Sequence, residues 1–74
     1  MIKEIDLHGY TLEEALLLVE REIGNIRLSG EESDLIVITG RGIIRKKLIK
    51  YLKEHEIDHN FELGNDGAII IQVD

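Results

Sequence analysis

Twice in this chain an apolar strand pattern stops at glycine and a helical pattern begins within a few residues, first at Ile5-Asp6-Leu7-His8-Gly9 and again at Thr39-Gly40-Arg41-Gly42. Two strand-to-helix turns in so short a sequence demand helix crossovers between parallel strands, because parallel neighbours cannot be joined by a tight hairpin. Both turns then fall at the same end of one sheet, where ligand sites of α/β folds are built.

The segments between these turns fill in the pattern. Lys3 to Leu7 alternates as a half-buried strand with Ile5 and Leu7 inward and Glu4 and Asp6 outward. Thr11 and Glu14 have capping-box spacing, and Leu12, Ala15, Leu16, Val19, Ile23 and Ile26 recur at helical intervals up to about Leu28, with Ser29 and Gly30 as the stop. Leu35 to Thr39 is an unbroken, β-branched apolar run, as in a strand covered over most of its length. Ile44, Leu48, Tyr51 and Leu52 line one side of a second helix, with Lys46, Lys47, Lys50 and Lys53 turned away. Ile57 to Leu63 reads as a third strand with Ile57, Phe61 and Leu63 inward. Gly64-Asn65-Asp66-Gly67 signals a hairpin returning through Ala68 to Val73.

The predicted order is βαβαββ, with the first three strands parallel and the last antiparallel. The outward positions Glu4, Asp6, Asp58, Asn60 and Glu62 are all polar, so one sheet face lacks a cover. The fold class is α/β: a two-layer sandwich of a four-stranded mixed sheet with two helices on one face.

A chain of 74 residues fits one domain, 1–74, standing alone or cut from a longer polypeptide. It contains no cysteine, so neither disulfides nor cysteine-bound zinc can supplement the core. No apolar run is long enough to span a bilayer, no secretory signal is visible, and a cytoplasmic location is the default expectation. The formal net charge of −6 opposes bulk attraction to nucleic acid, yet six of the nine Lys and Arg residues fall between Arg41 and Lys53.

Where the strand ends converge, His8 is the side chain that can exchange a proton near neutral pH, which makes it the candidate general acid or base. Asp6 shares its parity and can hold or stabilise the imidazole. The glycines around Arg41 permit a sharp turn and close ligand approach, and the free amides opening the second helix favour an anion. Arg41, Arg45 and Lys46 add positive charge. Against RNA, such a histidine can help the 2′-hydroxyl attack the phosphodiester without metal or other cofactor. Asp6 with Asp66 offers two carboxylates to a hard cation, but without motif spacing. Plainer uses stand beside each of these: His8 as a polar junction residue, Gly40-Arg41-Gly42 as an ordinary tight turn, and the lysines as a solvated face.

The chain resembles the small MutS-related (Smr) domain family. Ile5-Asp6-Leu7-His8-Gly9 is similar to the family's leucine-aspartate-leucine-histidine-glycine signature, and Thr11 to Glu14 to the start of the helix that follows it. Thr39-Gly40-Arg41-Gly42 matches a second signature of histidine or threonine followed by Gly-x-Gly, and Gly64 to Val73 resembles the closing glycine-rich link and strand. The resemblance implies a fold similar to the C-terminal domain of bacterial translation initiation factor three, and cleavage or binding of RNA or structured DNA. It assigns active-site roles to Asp6 and His8 and a nucleic-acid-facing loop to Gly40, Arg41 and Gly42, which Thr39, Arg45 and Lys46 extend. Three features depart from the pattern: threonine at position 39 where many members have histidine, a short final hairpin, and the acidic balance. A catalytically silent binding module, or one that contacts protein through its acidic surface, is the competing class. A binder of small phosphate compounds is the third.

Overall fold

The structure, a computed structural model, describes residues 2–40, 42–62 and 64–73, with the main chain alone at 62, 65 and 66. Its elements are β1 (Ile2–Asp6), α1 (Leu12–Ser29), β2 (Ser33–Ile38), α2 (Ile43–Glu54), β3 (His59–Glu62) and β4 (Asn65–Val73), in the predicted βαβαββ order.

Local chemistry sets both ends of α1. The Thr11 hydroxyl accepts from the Glu14 N–H at 3.2 Å while the Glu14 carboxylate accepts from the Thr11 N–H at 3.0 Å, a reciprocal capping box. At the other end Gly30 adopts φ +75°, and its N–H donates to the Arg27 carbonyl.

The sheet order is β1-β2-β4-β3. β1 runs parallel to β2, from Ile2 opposite Asp34 to Asp6 opposite Ile38. β4 lies antiparallel between β2 and β3. The two apolar strands thus take the centre, while the shorter β1 and β3, carrying charged and polar residues, take the edges. Both crossovers advance in one direction across the sheet, so their right-handedness sends α1 and α2 to the same face. Leu35, Val37, Ile69 and Ile71 are fully buried there in one cluster with Val19, Ile23, Leu48 and Leu52. Among the described residues no helix is long and apolar enough to cross a membrane.

The opposite face is open. Glu4, Asp6, Asp34 and Asn60 are exposed on it, and Ile36, Ile38 and Ile70 are half-buried between their sheet neighbours. The unbroken apolar run of β2 therefore conceals an alternation: helices cover one side of it and only flanking side chains shield the other. Three further expectations change. Ile57 is buried but precedes β3, its N–H donating to the Leu52 carbonyl at 2.9 Å. Phe61 has the inward parity yet is 48% exposed, because its strand lies at the sheet edge with a neighbour on one side alone. β4 begins at Asn65, inside the expected hairpin link, and Gly64 turns the chain at φ +79°. The expected inward position of Leu63 and the side chain of Glu62 lie outside the described residues.

Two polar contacts join separate elements. Lys3 has the inward parity of β1 and forms an ion pair with Glu22, a buried carboxylate on α1. On α2, burial pushes the Tyr51 phenol above its ordinary value, and the nearby Glu20 carboxylate of α1 adds to the shift. Lys50 and Glu54 form an i,i+4 surface pair at 3.8 Å.

Glu22→Gln should lower stability by about 1–2 kcal/mol, between the values for exposed and buried pairs, since Lys3 remains partly hydrated. A denaturant midpoint equal to wild type would show that the pair contributes nothing. The Thr11 main-chain N–H holds the Glu14 carboxyl below its ordinary value of 4.5. Its contribution is therefore complete above the unfolded-state value and lost as pH falls through the lower folded value. Glu14→Gln should separate from wild type in melting temperature at pH 7 and converge with it in acid; a separation independent of pH would reject the charge-assisted cap.

Candidate functional site

The turn after β1 is held from three sides. Leu7, 1% exposed, extends the parallel ladder by donating its N–H to the Ile38 carbonyl at 2.9 Å. The Asp6 carboxylate accepts from the main-chain N–H of His8 at 2.8 Å, an Asx-type turn. Tyr10 N–H closes back onto the Leu7 carbonyl at 3.1 Å around Gly9, whose φ is +83°. These bonds leave His8 exposed at the crest of the turn. The carboxylate thus grips the main chain beneath the imidazole, where parity alone had suggested that it would hold the ring. Among the described residues the imidazole has no hydrogen bond, and His8 is exposed.

The second turn is organised by the carbonyl of Gly67. It accepts from the N–H groups of Thr39 at 2.8 Å and Gly40 at 3.1 Å, fastening the end of β2 to β4. Thr39 is buried, and its hydroxyl is directed at the carbonyls of Gly40, 2.8 Å away, and Gly67, 3.3 Å away. Its side chain braces the turn from within and does not face outward with the loop. Gly40 adopts φ +71° and stands in open space, as does Gly42. Arg41 lies outside the described residues.

Gly42 is also the N-cap of α2, and no side chain caps this helix. Its first turn contains no carboxylate. The early amides are therefore open to water or an anion, and Arg45 and Lys46 add positive charge beside them. Lys46 is exposed, whereas the Arg45 guanidinium sits over the Phe61 ring, 5.1 Å from its centroid. Phe61 was absent from the sequence-based site because its parity placed it in the core. The usable signal was an arginine in the first helical turn facing the end of the following strand.

Since Asp6 pairs with Ile38 and Ala68 pairs with Ile38 from the other side, the ends of β1 and β2 and the start of β4 are immediate neighbours. The His8 turn, the Thr39–Gly42 turn and the β3–β4 hairpin consequently meet at one end of the sheet. At the far end Glu32, Asp34 and Asp58 line a shallow depression with Ile2, Ser33 and Gln72, so carboxylates accumulate away from the glycine turns. Among the described residues no group of three or more His, Asp or Glu side chains is arranged to hold a metal ion. The Asp66 carboxylate that was paired with Asp6 in sequence lies outside the described side chains.

Comparison with known proteins gives this arrangement relatives. Endonuclease MutS2 of Acetivibrio thermocellus is 38% identical over 65 residues, covering 86% of this chain and 8% of that protein. Endonuclease NBR9 of Saccharomyces cerevisiae is 28% identical over 78 residues, covering 95% of this chain and 32% of that one. The chain thus spans about a third or less of these relatives. The crystal structure of the Smr domain of Thermus thermophilus MutS2 superposes with a TM-score of 0.76 at 25% identity, covering 97% of this chain and 98% of that one. The family description "Smr domain" matches residues 5–74, and with a match of that extent the chain belongs to the Smr domain family.

Proposed function

We propose that this chain is a nucleic-acid-binding domain that cleaves phosphodiester bonds in RNA or structured DNA, with His8 as its general acid or base. The observation that carries the reading is the meeting of the exposed His8 turn with the uncapped, carboxylate-free start of α2 across adjacent strands. This arrangement supports a proton acceptor working beside a site suited to a phosphate. The endonuclease relatives support it, although this chain corresponds to only part of each.

On RNA, the imidazole takes the proton from the 2′-hydroxyl as that oxygen bonds to phosphorus. The phosphorus to 5′-oxygen bond then breaks, and the leaving oxygen takes a proton from water or from the imidazolium. Negative charge developing on the phosphoryl oxygens meets the α2 amides and the cations of Arg41, Arg45 and Lys46. Asp6 acts through the main chain by fixing where the imidazole begins, while Thr39 braces the glycine turn. The scheme requires no metal. A fold kinship with the C-terminal domain of translation initiation factor three suits an RNA substrate, and a cysteine-free chain suits a cytoplasmic setting.

A second reading rests on the open sheet face. Half-buried Ile36, Ile38 and Ile70 are bordered there by Glu4, Asp34 and Asp58. A basic, apolar segment of a protein partner or of a parent polypeptide complements that surface, leaving the domain as a silent adaptor.

His8→Ala should reduce cleavage of a defined RNA or branched DNA by about 100-fold or more without weakening binding. Undiminished cleavage by the purified variant would remove His8 from the chemistry, and binding without cleavage by wild type across such substrates would select the adaptor. Chelation should leave the rate unchanged; its loss, restored by a divalent cation, would refute the metal-free scheme. Lys46→Glu should weaken binding and flatten its salt dependence, because few phosphates are contacted.

A further inference from the structure

Phe61 is an unusual residue to leave half exposed. It is the one phenylalanine in an aromatic-poor chain, and it lies near the end of edge strand β3, opposite Ile69 of the core. A register shift between Phe61 and Glu62 interrupts the ladder at this point, as bulges do where a side chain is re-aimed near a binding site. The Arg45 guanidinium covers the ring at 5.1 Å, and His59 meets it edge-on, with centroids 5.8 Å apart and planes at 81°. The imidazole is itself held, its Nδ1–H donating to the Ile57 carbonyl at 2.9 Å. The guanidinium is thus stacked over the ring at the end of the sheet that carries the glycine turns, with Arg45 belonging to the first turn of α2.

We infer that Phe61 and Arg45 form a stacking platform for one unpaired base. The inference rests on the nucleic-acid reading above and narrows its substrate to a single strand, or to a duplex with a locally unpaired nucleotide. Aromatic rings and guanidinium planes receive bases by their faces, which a continuous duplex keeps stacked on one another. The platform also addresses the adverse charge of the chain. A protein with net charge −6 cannot rely on a long phosphate track, and stacking supplies attraction that does not depend on net charge.

If Phe61 were only the fringe of the core with Arg45 as its cover, replacing it would affect stability and not the choice of substrate. The test is fluorescence anisotropy with a short labelled RNA strand, the same strand containing one abasic position, and a blunt duplex of the same sequence. Phe61→Leu should weaken single-strand binding by about 5- to 100-fold and duplex binding by less than about twofold. Phe61→Trp should retain single-strand binding, and its indole, the only one in the chain, should be quenched by the intact strand more than by the abasic strand or the duplex. Equal effects of Phe61→Leu on both probes, no effect on either, or a tryptophan indifferent to the strand would overturn the platform while leaving the nucleic-acid reading in place. Wild-type protein that binds none of the probes would overturn the platform, and failure to bind branched DNA as well would overturn both. Should Phe61→Leu fail to fold, the tryptophan comparison decides alone.

Discussion

The carbonyl of Gly67 is the point from which the organisation of the glycine turn can be traced. By accepting from both Thr39 and Gly40, it fixes where β2 stops and how the chain leaves the sheet. The Thr39 hydroxyl reinforces the same junction from inside. Gly40 can then reverse the chain at positive φ, and α2 starts three residues later. Without this junction the start of α2 would have no defined relation to the end of β2, and its opening amides would lose their direction.

Features governed by neighbouring residues were legible in the amino-acid sequence, and those governed by distant ones were not. Thr11, Glu14 and Gly30 announced the ends of α1 because capping is settled within a few residues. The polar positions of β1 and β3 disclosed an open face, and with it the two-layer fold. The insertion of β4 between β2 and β3 follows from competition among all four strands, for which no local signal exists. Thr39 turns inward because of Gly67, a partner 28 positions away. Parity placed Phe61 on the correct face but did not reveal that its strand would lie at the sheet edge. It brought Asp6 alongside His8 without indicating that the carboxylate would bind the main chain and leave the ring free.

The charge distribution explains how an acidic protein accommodates the proposed site. Carboxylates gather at the far end of the sheet and on its open face, while α2 begins without any. Over distances beyond roughly 10 Å in physiological salt these opposing regions are largely screened from one another. The local field near the α2 start therefore matters more to a short ligand than the total charge does.

The two helices begin in opposite ways, and this divides their stability. α1 satisfies the amides of Thr11 and Glu14 internally through its capping box. α2 starts at a glycine with no side-chain acceptor, so its opening amides depend on whatever occupies the solvent in front of them. Helical order in that turn is thermodynamically linked to occupancy: an anion that binds there also suppresses fraying, and a change that stiffens the turn in the free protein strengthens binding without adding a contact. The uncapped terminus thus couples local unfolding to any anion binding in front of it.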